Sequence, residues 1–84
     1  MKIFVDGDGC PVVDIAIDIA KEYYIEIVVV KNYNHELWDD YATIITVDSS
    51  PDSADYYIAN HVSKGDIVIT QDYGLAAMAL SRGA

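Results

Sequence analysis

Four short apolar runs, rich in β-branched residues, alternate with segments of helical periodicity along this chain. Each run is too short for a helix, so the runs at residues 2–5, 25–30, 43–47 and 66–70 predict strands. Strands that alternate with helices are typical of α/β folds, in which right-handed crossovers join parallel strands. We therefore predict a mostly parallel sheet of about four strands with helices on both faces, a three-layer α/β/α architecture.

The predicted helices have recognisable ends. Pro11 suits the first turn of the first helix, Ser50 is the expected N-cap of the second at about residues 52–62, and Gly83 ends the third. No repeat or linker interrupts residues 1–84, which we treat as one domain. Because a parallel sheet is normally covered on both faces by further elements, we expect this domain to be incomplete at its C-terminus. A missing C-terminal part or a second copy of the chain would then cover the sheet.

The charge balance restricts the kinds of partner. Fourteen acidic residues against five basic ones give a formal net charge of −9, which disfavours nonspecific binding to phosphate backbones. The single cysteine, Cys10, excludes an internal disulfide and fits a reducing compartment. The sequence shows no secretory signal pattern, and no apolar run approaches the roughly 20 residues that span a bilayer. We therefore expect a cytoplasmic protein with no membrane partner.

Acidic residues gather where the predicted strands end. Asp6 and Asp8 follow the first strand, Asp72 follows the fourth, and Asp52 and Asp55 lie in the first turn of the second helix. The carboxyl ends of parallel strands meet at one edge of the sheet, which is where such folds bind ligands. Carboxylates held close together repel one another unless a hard cation neutralises them. The sequence therefore predicts a site for one or two Mg²⁺ or Mn²⁺ ions rather than a zinc site.

Several of these acids also have purely structural explanations. Asp72 can cap the third helix, Asp52 can complement the dipole of the second, Asp8 can shape a turn, and Asp48 can form an Asx turn. Asp6 is the hardest to explain in this way. An acid that directly ends an apolar strand lies at the rim of the core, where it needs a partner.

Three motifs resemble those of a known family. Residues 3–12 (Ile-Phe-Val-Asp-Gly-Asp-Gly-Cys-Pro-Val) resemble the opening motif of the bacterial YaiI/YqxD family, whose usual form is an apolar strand followed by Asp-Ala-Asp-Ala-Cys-Pro-Val. Residues 52–55 resemble the Asp-x-x-Asp helix start of that family, and residues 65–76 its glycine-aspartate strand and Thr-x-Asp turn. Gly7 and Gly9 replace the usual alanines, which predicts a looser turn around Asp6 and Asp8.

The family is uncharacterised and related to PIN-like nuclease domains. The resemblance therefore implies a PIN-like fold and metal-dependent cleavage of phosphodiesters in RNA or DNA. Carried over motif by motif, the implied catalytic residues are Asp6, Asp8, Asp55, Thr70 and Asp72. The implied metal ligands are Asp6, Asp8, Asp52, Asp55 and Asp72. Five basic residues cannot form an obvious groove for a long strand, so either the substrate is a nucleotide or a short strand, or catalysis belongs to the complete protein.

Other functions are compatible with the same residues. Asp6-x-Asp8-Gly9 after a strand also resembles the nucleophile motif of haloacid-dehalogenase-like phosphatases, with Asp6 as the nucleophile. A receiver-like signalling domain would use Asp48 as the phosphoryl acceptor and Thr70 as the switch residue. A noncatalytic fold that binds a metal or a partner is the remaining alternative.

Overall fold

A computed structural model describes residues 1–7, 12–32, 39–48, 50 and 52–84. The elements in chain order are β1 (Lys2–Asp6), α1 (Val13–Glu22), β2 (Glu26–Asn32), β3 (Thr43–Val47), α2 (Ser53–His61), β4 (Ile67–Ile69) and α3 (Tyr73–Ser81). This order confirms the predicted α/β class. Asp8, Gly9, Cys10, Pro11 and most of the segment before β3 lie outside the described residues, so the predictions made for them stay predictions.

The described strands form one parallel sheet in the order β3-β2-β1-β4. In its register Phe4 lies beside Val28 on one neighbouring strand and beside Val68 on the other. Asp6, the last residue of β1, lies beside Val30, two residues before β2 ends at Asn32. Parallel pairing thus brings the carboxyl ends of β1, β2 and β4 to one edge of the sheet.

Alternate side chains of β1 enter two separate cores, as the two-residue period of a strand requires. Ile3 and Val5 pack with α1 on one face, whereas Phe4 packs with α2 and α3 on the other. Ile58 of α2 is completely buried in the second core. Burying an aliphatic side chain of this size contributes about 1.5–3 kcal/mol. Helices on both faces confirm the predicted three layers.

The ends of the helices differ in detail from the prediction. Asp52, not Ser50, is the N-cap of α2, and the prediction for Ser50 was wrong. The carbonyl of Ser50 instead accepts a hydrogen bond from the amide of Ser53 at 3.2 Å, which forms a turn before the helix. Gly83 follows α3 with φ of 87°, a left-handed conformation that glycine adopts at little cost.

A buried aspartate anchors the beginning of β4. The carboxylate of Asp66 accepts hydrogen bonds from the backbone amides of Lys2, at 2.9 Å, and Ser63, at 2.8 Å. Asp66 is only 7% exposed, so these two donors replace the water that the carboxylate loses. The contact ties the start of β1 to the loop before β4.

No helix within the described residues has the length and apolarity needed to cross a membrane.

Candidate functional site

A threonine hydroxyl joins the ends of β1 and β4. Oγ1 of Thr70 donates a hydrogen bond to Oδ2 of Asp6 at 3.0 Å and accepts one from the backbone amide of Asp72 at 3.0 Å. Asp6 ends β1 and Thr70 directly follows β4, and the parallel register places both on the sheet face that α2 and α3 cover. The structure therefore brings together three of the residues singled out from the sequence.

Asp72 also caps α3. Its Oδ1 accepts hydrogen bonds from the backbone amides of Gly74, at 2.8 Å, and Leu75, at 3.1 Å. The amide of Leu75, followed by the side chain of Asp55 and the amide of Gly74, lowers the pKa of Asp72. The structural explanation offered for this residue is therefore correct. It does not exclude a second role, because the same carboxyl also contacts Asp55.

Asp55 completes a group of acidic side chains at this edge. It lies in the first turn of α2, half-buried, with its carboxyl hydrogen-bonded to that of Asp72. Loss of hydration, the hydrogen bond and charge of Asp72, and the charges of Asp6 and Asp52 raise the pKa of Asp55 to about 6. Because the pKa of Asp55 is raised and that of Asp72 is lowered, the proton that the pair takes up in mildly acidic solution lies on Asp55.

The remaining candidates lie in other situations. Asp8 is outside the described residues. Asp52 is exposed and makes no capping hydrogen bond with its side chain, so its effect on Asp55 is through charge. Asp48 accepts hydrogen bonds from the amide of Ser50 and the hydroxyl of Ser53. These bonds, that of Ser53 foremost, lower the pKa of Asp48. The predicted Asx turn therefore accounts for Asp48.

The donor set indicates which cation could fit. Among the described side chains, no three His, Cys, Asp or Glu are grouped so that they could hold a metal ion. The carboxyl groups of Asp55 and Asp72 interact through a hydrogen bond and through charge. Mg²⁺ keeps several of its waters and is commonly bound by one or two carboxylates together with substrate phosphates. Two carboxylates are too few to surround a metal whose ligands all come from the protein. They suit Mg²⁺ or Mn²⁺, whose other ligands can be water or phosphate oxygens.

A buried lysine near this edge was not among the residues predicted from the sequence. Lys31 is 7% exposed and directly follows Val30, the register neighbour of Asp6. Its Nζ donates a hydrogen bond to the carbonyl oxygen of Asn32 at 3.3 Å. The available signal was its position at the end of a continuous apolar run, where a long side chain can extend over the core.

The comparisons with known proteins identify the family. The model of the uncharacterised YaiI/YqxD family matches residues 4–84. The chain belongs to this family. It is 66% identical to a UPF0178 protein of Alkaliphilus oremlandii over all 84 of its residues, which cover 54% of that relative. Identity is 55% to a UPF0178 protein of Natranaerobius thermophilus, of which the chain covers 57%, and 52% to one of Ruminiclostridium cellulolyticum, of which it covers 55%.

The chain thus spans about half the length of the curated relatives it matches. No solved structure matches it. Membership of the YaiI/YqxD family confirms the resemblance seen in the three motifs. The relation to PIN-like nucleases stays a prediction.

Proposed function

We propose that Asp55 and Asp72 bind one divalent cation, Mg²⁺ or Mn²⁺, beside Asp6. We further propose that the complete protein uses this centre to hydrolyse phosphodiesters in RNA, DNA or a nucleotide. The observation that carries the proposal is the hydrogen bond between the two carboxyl groups, which adds to the loss of hydration in raising the pKa of Asp55 to about 6. Two acids held in contact at neutral pH require a neutralising charge, and a divalent cation can replace the proton on Asp55.

The arrangement of the chain around the pair favours such a site. The hydroxyl of Thr70 fixes Asp6, and the first amides of α3 fix Asp72, so neither side chain has to be ordered when a ligand binds. The chain supplies oxygen donors of the kind that hard cations prefer. The charges of Asp72, Asp6 and Asp52 all act on Asp55.

The chemistry expected of the centre follows from its parts. A bound divalent cation would activate a water molecule and offset negative charge on the phosphate. Asp55 and Asp72 would keep the reacting phosphate in position through that ion. Asp55, with a pKa of about 6, can release its proton near neutral pH and so leave the pair fully charged.

The net charge of the chain bears on the substrate. At −9, its surface repels polyanions on average, so attraction of a phosphate depends on a local positive charge. A nucleotide or a short strand needs few contacts to phosphates, whereas a long duplex needs many. The proposal therefore favours small phosphodiester substrates for the part of the protein that this chain represents.

A calorimetric titration with Mn²⁺ at pH 7.5 tests the cation site. Binding is expected with the unaltered chain and is expected to be lost in Asp55→Asn and in Asp72→Asn, since each variant lacks one charge. Asparagine at position 72 retains the ability to cap α3. Asp18→Asn is the matched control, because it removes one exposed carboxylate from α1. Absence of binding in the unaltered chain, or undiminished binding in both site variants, would contradict the proposal.

The phosphodiester half of the proposal needs a longer protein. The full-length Alkaliphilus oremlandii relative should cleave short fluorogenic oligonucleotides or a phosphodiester nucleotide analogue only when Mn²⁺ or Mg²⁺ is present. Substituting asparagine at its position aligned with Asp55 should abolish that cleavage. Cation binding without cleavage of any of these substrates would support the metal site but refute the nuclease assignment.

A further inference from the structure

The sheet has an open edge at β4. Within the described residues β4 pairs with β1 on one side and carries no strand on the other. Ile67, at the start of β4, is 42% exposed although it is strongly apolar. An edge with unpaired backbone groups and apolar side chains is a template for a further strand unless it is covered.

An apolar groove adjoins this edge on the α2/α3 face. The groove has a volume of about 180 Å³ and is lined by Val68, Ala76, Ala79, Leu80 and Ala84. We call it the β4–α3 groove. Leu80 is 71% exposed, so its side chain covers little of the groove and lies largely in solvent. Lining side chains without a polar atom indicate an apolar occupant rather than a phosphate or a cation.

The topology specifies where a further strand would lie. The crossover from β3 through α2 runs over the α2/α3 face and advances from one edge of the sheet to β4 at the other. The helix α3 packs on the same face. Crossovers of one hand on one face advance in one direction, so a parallel strand that follows α3 lies beyond β4.

The end of α3 is held where such a strand would start. The amide of Gly65 donates to the carbonyl of Gly83 at 2.9 Å, and the amide of Ala84 donates to the carbonyl of Ala79 at 3.1 Å. Gly65 precedes β4, so these bonds keep Ala84 near the amino end of that strand. A parallel partner of β4 must begin at that same end.

We propose that the open edge of β4 and the β4–α3 groove dock a segment that YaiI/YqxD relatives carry outside the region matched here, as a strand parallel to β4. The chain covers only 54 to 57% of three such relatives, so each has ample further length. A second copy is the competing occupant. The three residues of β4 offer either occupant few hydrogen bonds, and the crossover from α3 towards the open side of β4 favours the segment. This inference does not depend on the proposed cation site.

Hydrogen exchange tests the docked strand. In the full-length Alkaliphilus oremlandii relative, the amides aligned with Ile67–Ile69 should exchange at least about tenfold more slowly, relative to those of β3, than in the 84-residue chain. The strand β3, at the opposite edge, serves as the internal reference. Equal relative rates in the two proteins would overturn the proposal.

A substitution in the groove gives a second, independent test. Leu80→Lys should change the Tm of the 84-residue chain little, because Leu80 is 71% exposed. The same substitution at the aligned position of the relative should lower Tm by about 4 °C or more, since it buries a charge under the docked segment. Tyr56→Lys, at an exposed position of α2, is the control and should have the same effect in both proteins.

Two results would overturn the docking of a relative's segment. One is an equal effect of Leu80→Lys in the two proteins. The other is a dimer of the 84-residue chain, seen by sedimentation, that Leu80→Lys dissociates and Tyr56→Lys does not. That second result would assign the groove to another copy of the chain.

Discussion

Asp55→Asn should stabilise the fold at neutral pH. Folding raises the pKa of Asp55 from 3.8 to about 6. Above pH 6 the folded state therefore holds a carboxylate that forms more easily in the unfolded chain, and this difference destabilises the fold. A shift of about two units corresponds to roughly 3 kcal/mol if fully expressed. Because solvent reaches the half-buried side chain, we expect about 1–2 kcal/mol after screening. The asparagine retains the shape and can still hydrogen-bond to Asp72.

The sign of this effect changes with pH in a defined way. A carboxyl whose folded pKa is raised destabilises the fold above that pKa, and the penalty vanishes below its unfolded pKa. The gain from Asp55→Asn should therefore be complete above about pH 7, fall between pH 6 and 4, and disappear below pH 4.

Urea denaturation at pH 7.5 and at pH 3.5 measures this difference. At neutral pH the gain should also raise Tm by about 4 °C or more. Asp18→Asn provides the control, because it removes one negative charge from a chain of net charge −9 without touching the acidic group. A loss of stability at pH 7.5, a gain that persists at pH 3.5, or an equal gain in Asp18→Asn would refute the reasoning.

Further substitutions test four other contacts. Thr70→Val removes both hydrogen bonds of the hydroxyl and should lower the free energy of unfolding, measured in urea, by about 1–2 kcal/mol. Thr70→Ser keeps the hydroxyl and should cost much less. Equal costs for the two substitutions would contradict a role of these hydrogen bonds. Asp72→Ala should lower Tm, and Asp72→Asn should restore most of the loss if capping is the cause. Asp66→Ala leaves two partly buried amides without their acceptor and should cost about 2–3 kcal/mol, and a cost below about 0.5 kcal/mol would show that water replaces the carboxylate. A methyl group at Gly7 would lie 2.9 Å from Cγ1 of Val29, so Gly7→Ala should cost about 1–3 kcal/mol. The cost should be smaller in a Val29→Ala background, where this atom is absent. Equal costs in the two backgrounds would exclude this contact as the cause.

The sequence was sufficient for the strands because short runs of β-branched residues between helical segments leave a simple pattern. The run of β3 was predicted at the residues it occupies, Thr43–Val47, and β1 was predicted one residue short. The meeting of Asp6 and Asp72 followed from the rule that parallel strands end at one edge, whereas Thr70 was named as a site residue only through the family resemblance. It required no knowledge of any side-chain contact.

Other features depend on tertiary packing that no local pattern records. Residue 66 was predicted as part of β4, but its carboxylate binds the amide of Lys2, which is 64 positions away in sequence. The contact between Asp55 and Asp72 depends on how α2 packs against α3, and sequence spacing could only place both acids at one edge. Glycine at position 7 was expected to loosen the turn, yet Gly7 is buried and its amide donates to Val30 at 2.8 Å.

The acidic group and the open edge share one structural element. Thr70, which fixes Asp6, directly follows β4, and β4 has only three residues and one neighbouring strand within the described part of the chain. A strand docked on the free side of β4 would reduce the fraying of that short element and so hold Thr70 and Asp72 more firmly. If both proposals are correct, the full-length relatives should bind Mn²⁺ more tightly than the 84-residue chain, and disruption of the β4–α3 groove should weaken that binding without any change to an acidic residue.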